Sequence, residues 1–188
     1  NLGGQLQVIF TYKRKLKLFA LVQIESQSYR DISEAPANRL RTGPEYRAGV
    51  GAHYILSPSM RLSAGVTMIR KLAVGDFNDY TGALVFVEHL WALGGGSFLL
   101  SRAAWEFDQY DEPDTFISNR TRRDHIFRLG TTYGIPIQTL LKGVEVPNFI
   151  YDTTITVAGE FYRSSSNITN YTYTNWRFVL GVTKRFDF

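Results

Sequence analysis

Hydrophobic and polar residues alternate with a period of two along most of this chain, and no sustained helical periodicity interrupts the pattern. The alternation is clearest near the C-terminus, where Trp176, Phe178, Leu180 and Val182 are separated by polar residues or glycine at most positions. Successive side chains of a β-strand point to opposite faces. The segment is therefore predicted to be a strand with one apolar and one polar face.

The same pattern predicts nine strands, separated by polar or glycine-rich segments. The predicted strands are Gln5–Lys13, Lys15–Arg30, Glu45–Leu56, Arg61–Val74, Gly82–Leu93, Phe98–Tyr110, His125–Ile135, Tyr151–Arg163 and the C-terminal segment ending at Phe188. Long polar loops at 31–44, 111–124 and 164–173, together with a shorter one at 75–81, alternate with short turns at 13–15, 57–60 and 93–97. Only the segment 136–150 breaks this alternation, and a short helix at Gln138–Lys142 is predicted within it.

Composition narrows the class of protein. The 188 residues are expected to form a single domain, 1–188, and they contain 13 Phe, 11 Tyr, 3 Trp and no Cys. No apolar run approaches the roughly 18 residues of a transmembrane helix, so a transmembrane helix is excluded. The net charge is +4, but the basic residues are scattered singly, which argues against a nucleic-acid partner.

The end of the chain, Lys184-Arg185-Phe186-Asp187-Phe188, resembles the closing strand of Gram-negative outer-membrane β-barrels. Glu160 to Ile168, Tyr171 to Asn175 and Val179 to Val182 are similar to the last hairpin of such proteins, some of which serve exopolysaccharide export or surface-protein secretion. The resemblance implies a bacterial outer-membrane location, contact with outer-membrane lipids and lipopolysaccharide, and subunits of an envelope complex as partners. It also implies that Phe186 and Phe188 form the signal that the barrel assembly machinery reads.

The expected fold is therefore all-β: an antiparallel transmembrane β-barrel with about 8–10 strands visible. With nine strands, the first and the last run in the same direction and could close only in parallel. Bacterial single-chain barrels normally have an even number of antiparallel strands. A strand upstream of Asn1 is therefore predicted, and a larger barrel with this chain as its C-terminal part is left open.

Charged residues share one phase of the alternation, which predicts that they line a lumen because charge is costly on a lipid-facing surface. The predicted lumen-lining residues are Lys17, Glu25, Arg47, His53, Glu88, Arg102, Glu106, Arg128, Glu160, Arg177 and Arg185. They could form a polar conduit, or a packed interior in which Glu88, Glu106 and Glu160 pair with Arg102, Arg128 and Arg177.

Catalytic chemistry finds little support in the sequence. The three histidines, His53, His89 and His125, are far apart, and no cysteine is present, so neither a metal site nor a cofactor is predicted. No nucleophile and base share a lipase-type spacing, and we expect that the protein is not an enzyme. A lipid-modifying enzyme that uses His125, beside Asp124, or His89 is the weaker alternative.

The leading hypothesis is a porin-like outer-membrane barrel for transport or secretion of polar material, as one piece of a larger envelope assembly or alone. The main alternative is a small plugged barrel with a structural or adhesive role through its extracellular loops. Barrel width decides between them, because side chains nearly fill an eight- to ten-stranded barrel, whereas wide aqueous channels need roughly 16 strands.

Overall fold

Nine long antiparallel strands in one sheet form the fold in a computed structural model that describes residues 1–31, 38–144 and 150–184. The strands are β1 (Leu2–Lys13), β2 (Leu16–Gln27), β3 (Gly43–Ser57), β4 (Met60–Lys71), β5 (Tyr80–Ala92), β6 (Phe98–Tyr110), β7 (Arg123–Pro136), β8 (Thr153–Ser166) and β9 (Tyr173–Lys184). Every predicted strand is present, and β6 has the predicted bounds. The all-β prediction is confirmed.

The strands follow one another as a meander in the order β1 to β9, so their connections meet alternately at two ends of the sheet. The connections 28–42, 72–79, 111–122 and 167–172 lie at what we call the loop end. The connections 14–15, 58–59, 93–97 and 137–152 lie at the turn end. The helix α1 (Ile137–Leu140) lies in the last of these, where a short helix was predicted. Among the described residues, no helix is both long and apolar enough to cross a membrane.

The pairing register gives the sheet two distinct faces. Odd-numbered residues of β1–β4 and β9 share one face with even-numbered residues of β5–β8, and we call this the inner face. It holds most of the buried side chains, including Ile69, Leu84, Glu106 and Asp124. Large apolar side chains on the opposite, outer face are mostly exposed. Because one sheet alone buries its inner face, the sheet must curl around that face.

The sheet is open. β1 pairs only with β2, and β9 pairs only with β8, so the described residues do not form the closed barrel that the sequence predicted. Both edge strands are exposed along nearly their whole length, on both faces. Since an antiparallel meander of nine strands starts and ends in the same direction, β1 and β9 could pair with each other only in parallel.

An apolar cluster of Ile69, Leu84 and Ala104 lies at the centre of the inner face, with Tyr80 and Phe86 packed against it. Glycine provides space for this packing. A Cβ atom on Gly65 would lie 2.8 Å from Cε1 of Phe86, so the ring lies directly over the glycine backbone. The polar groups of the inner face are therefore arranged around a small hydrophobic centre.

Candidate functional site

A polar cavity of about 250 Å³ lies at the loop end of the inner face. We call it the loop-end cavity. Its wall includes Gln27 of β2 and Tyr173 of β9, which shows how far the sheet curls. Most of the remaining wall is charged or phenolic: Tyr29, Arg41, Glu45, Arg47, Lys71, Tyr80, Glu106, Asp108, Tyr110, Arg122, Asp124, Arg128 and Tyr162.

Glu45 organises the β3 side of this cavity. Its Oε1 accepts a hydrogen bond of 2.7 Å from Nε of Arg47, and its Oε2 accepts one of 3.0 Å from the hydroxyl of Tyr80. Nε2 of Gln27 donates to the same Oε2 at 3.3 Å, and Lys71 Nζ donates to Gln27 Oε1 at 2.9 Å. The carboxylate is buried, and these donors compensate its lost hydration.

Glu106 and Arg128 form the ion pair of the cavity floor. Nη1 of Arg128 donates to Oε2 of Glu106 at 2.6 Å, and the Glu106 side chain is only 5% exposed. The guanidinium also lies 5.3 Å from the ring centre of Tyr162, whose hydroxyl accepts a hydrogen bond of 3.3 Å from Tyr173. Removing one partner of such a buried pair leaves an uncompensated charge.

Arg122 closes the cavity from the loop between β6 and β7. It forms an ion pair with Asp124, with Nε 2.7 Å from Oδ2, and its guanidinium lies between the rings of Tyr110 and Tyr171 at 4.4 and 3.6 Å. Burial lowers the pKa of Arg122, but the hydrogen bond to Asp124 raises it, and the net shift is upward. Burial also raises the pKa of Tyr171. Arg122 therefore stays a cation, and Tyr171 stays a neutral phenol.

Asp108 and Asp124 are carboxylates of the cavity wall that each keep one buried oxygen without a hydrogen-bond partner among the described residues. They lie directly opposite each other on β6 and β7, and both are buried. In each, the Oδ1 atom is buried without a hydrogen-bond partner. Buried polar atoms of this kind are rare in native proteins and call for a physical explanation.

A second cavity, of about 270 Å³, lies next to the first on the inner face. Arg47 and Arg128 line both cavities, and Arg102 and Glu160 line the second. The two cavities thus adjoin on the inner face, and the second also borders the apolar cluster through Leu84 and Ala104. Arg47 and Arg128 lie where the two cavities meet.

Ten of the predicted lumen-lining residues share the inner face. These are Lys17, Glu25, Arg47, His53, Glu88, Arg102, Glu106, Arg128, Glu160 and Arg177. Of the three predicted ion pairs, the described residues form only Glu106–Arg128. Glu88 faces Arg102 and Glu160 faces Arg177 across neighbouring strands, without an ion pair. Arg185, Phe186 and Phe188 lie outside the described residues.

Several cavity residues were missed by the sequence reasoning. Asp124, Arg122 and Tyr80 fall in segments predicted as loops, although Asp124 and Tyr80 belong to strands. Asp108 follows Glu106 by two positions in the predicted strand Phe98–Tyr110, so the alternation predicts that both lie on one face. Asp108 was nevertheless not among the predicted lumen-lining residues.

The histidines occupy three different environments. Nδ1 of His53 lies 2.8 Å from Oγ of Ser63 on the inner face, and its ring stacks on Phe19. His125 lies on the outer face, with its ring 5.7 Å from Trp105 and 5.0 Å from Phe107. His89, also on the outer face, is opposite Ser101 in the register.

Metal binding finds no support in the described part of the chain, where no group of three or more His, Cys, Asp or Glu side chains could hold an ion. Comparison of the chain with known protein families, with curated proteins and with solved structures gives no significant match.

Proposed function

We propose that the chain belongs to an antiparallel transmembrane β-barrel of the bacterial outer membrane, which passes or guides polar material along its charged inner face. The observation that supports this proposal most directly is the separation of charge between the two faces of the sheet. Within the nine described strands, every Asp and Glu lies on the inner face. The outer-face charges are Lys13, Arg70, Arg123, Arg163 and Lys184, all near strand ends.

The outer face has the composition of a surface in contact with lipid. Between its terminal charges it exposes large apolar side chains in neighbouring strands: Val50, Val66, Val85, Trp105, Phe127, Leu129, Val157, Phe178 and Leu180. Water-soluble domains rarely expose contiguous apolar patches larger than a few hundred Å². In a hydrocarbon environment the same side chains are favourable, and a charge at mid-depth costs about 2–4 kcal/mol.

Strand length supports the same proposal. The shortest strands contain 12 residues and the longest, β3, contains 15. A tilted strand needs about 9–11 residues to cross the hydrocarbon core of a bilayer. The hydrogen bonds of β2 to β8 are satisfied within the sheet, as a membrane requires, whereas β1 and β9 each keep one unpaired edge.

A route for polar material is supported by the two adjoining cavities of the inner face, which Arg47 and Arg128 both line. A barrel of nine or ten strands would be nearly filled by its own side chains. Transport therefore requires a wider barrel, in which β1 and β9 pair with further strands. An odd number of such strands keeps all neighbours antiparallel.

The second candidate function is a plugged barrel that acts through its loops in a structural or adhesive role. The observation that favours it is the density of compensated charge at the loop end. Glu45–Arg47, Glu106–Arg128 and Asp124–Arg122 are ion pairs, and tyrosine rings fill the space beside them. Such packing holds the cavity wall in one arrangement, which favours a plugged barrel over an open pore.

Conductance in planar bilayers tests the transport proposal. We expect the full-length protein to give steady single-channel currents, and Arg102→Glu to shift ion selectivity toward cations because Arg102 faces the second cavity. Arg120→Glu is the matched control, since it makes the same charge change on an exposed loop residue. No current from a properly inserted protein would favour the plugged barrel, and equal selectivity shifts in both variants would exclude the inner face as the route.

A further inference from the structure

Charge is distributed unevenly between the two ends of the sheet. Over the turn-end connections and the three strand residues next to each, Asp152 is the only acidic residue among those described. The basic residues over the same positions are Lys13, Arg14, Lys15, Lys17, Arg61, Lys142 and Lys184. Over the matching positions of the loop end, acidic residues outnumber basic ones among the described residues. The turn end is therefore the positively charged end of the sheet.

The densest group of these charges lies at the hairpin between β1 and β2, where Lys13, Arg14 and Lys15 are consecutive and exposed. We call these three residues the basic turn. None of them forms an ion pair with a described residue. Neighbouring like charges repel one another, so a bound anion would stabilise this turn.

Exposed aromatic side chains accompany the basic turn. Tyr12 is 58% exposed, and Nζ of Lys13 lies 5.4 Å from the centre of its ring. Tyr54, Trp91 and Tyr133 are also exposed, on the outer face of their strands near the turn end. Tyrosine and tryptophan are enriched where hydrocarbon meets lipid headgroups, and long basic side chains extend from that depth toward the headgroups. This combination is typical of a membrane interface.

We propose that the basic turn binds the headgroups of anionic phospholipids, so that the turn end lies at a negatively charged bilayer surface. The inference rests on the proposed membrane location. A phosphate diester accepts charge-assisted hydrogen bonds from both the ammonium and the guanidinium group. Free phosphate or an acidic protein segment would also compensate the charges, but neither explains the exposed aromatic side chains beside them.

The two faces of the turn end differ in their access to such headgroups. Lys13 is opposite Leu16 in the register and therefore lies on the outer face, which would contact lipid. Lys17 and Arg61 lie on the inner face, although they are exposed and close to the same end. The proposal therefore assigns lipid contact to the basic turn and not to Lys17 or Arg61.

Electron paramagnetic resonance of spin-labelled lipids tests this contact, in vesicles that contain the full-length protein. We expect phosphatidylglycerol to be enriched over phosphatidylcholine, by up to about fivefold, among the lipids whose motion the protein restricts. Raising the salt from about 0.1 M to about 1 M should abolish the enrichment, because the Debye length falls from about 10 Å to about 3 Å. Equal restriction of both lipids at low salt would overturn this proposal and leave the membrane location standing. Absence of any restricted lipid would overturn both.

Variants locate the contact. Arg14→Gln combined with Lys15→Gln should reduce the enrichment at least about twofold. Lys17→Gln combined with Arg61→Gln is the matched control, since it removes the same charge from the inner face of the same end. An equal reduction in both double variants would show a general effect of net charge and would overturn the proposal, as would full enrichment in the basic-turn variant. If the basic-turn variant fails to fold, the salt dependence of the wild-type protein decides.

Discussion

The inner and outer faces of the same strands differ in what stabilises them. On the inner face, Glu106 and Asp124 are nearly inaccessible, and arginines compensate their charges. On the outer face, Phe178 and Leu180 are more than 70% exposed. In a water-soluble protein this arrangement would be inverted. The difference teaches that, under the proposed membrane location, the surroundings of the outer face supply much of the favourable transfer energy that a central core supplies in a water-soluble protein.

The first prediction concerns a substitution that weakens the inner face. Arg128→Met leaves Glu106 buried and unpaired, so we expect a loss of about 3–5 kcal/mol in the free energy of unfolding. Adding Glu106→Gln should restore most of that loss. Urea unfolding of lipid-reconstituted protein measures both variants.

The matched control for this prediction is Arg102→Met on the same face. Arg102 forms no ion pair with a described residue and its guanidinium lies 5.0 Å from the ring centre of Phe86. We expect its loss to be below about 1 kcal/mol. Similar losses for the two arginines would show that the buried pair has no special role.

The second prediction concerns a substitution that weakens the outer face. Val66 is 41% exposed and lies between Val50 and Val85. Val66→Arg should cost about 2–4 kcal/mol if this position is near the bilayer midplane. Val74→Arg, at an exposed loop position, should be nearly neutral. Folding yield and unfolding in vesicles provide the measurement, and a neutral Val66→Arg would remove the distinction between the faces.

The third prediction tests the hydrophobic centre of the inner face. Gly65→Val would push against the ring of Phe86, so we expect a loss of about 1–3 kcal/mol. Gly130→Val is the control, because a Cβ atom there would find only the carbonyl oxygen of Gly159, at 4.0 Å. Equal losses would mean that strand backbone conformation, and not the ring contact, decides the effect.

The smallest effect concerns pH. Burial raises the pKa of Tyr171, so the unfolded state loses this proton first as the pH rises through about 10. The stability from this group is complete below its unfolded pKa and declines as the pH rises toward the folded value. Tyr171→Phe should therefore reduce the steepness of alkaline destabilisation. An unchanged pH profile would assign that destabilisation to other tyrosines.

The sequence predicted the strands and the faces because both depend on the local alternation of side chains. It was less successful at strand ends, where pairing with a neighbouring strand lengthens a strand beyond its alternating segment. β7 begins at Arg123 and β5 at Tyr80, each two residues before the predicted start, and this extension brings Asp124 and Tyr80 into the cavity wall. Pairing with an adjacent strand, rather than local hydrophobicity, determines these ends.

Ion-pair geometry could not be predicted for a related reason. Glu88–Arg102, Glu160–Arg177 and Glu106–Arg128 were equivalent candidates in the sequence. Glu106 is opposite Ile126, two residues from Arg128, and of the three candidates only this diagonal pair forms an ion pair among the described residues. The outcome depends on the curl of the sheet and the burial of Glu106, which no pattern along the chain reveals.

The central claim is that the outer face contacts lipid and the inner face does not. The chain has no cysteine, so single cysteines at Leu129 on the outer face and Gly130 on the inner face can carry the same fluorescent label. In vesicles of brominated lipid, we expect strong quenching at position 129 and little at position 130. Equal quenching at both positions, or none at 129 in folded protein, would contradict the account.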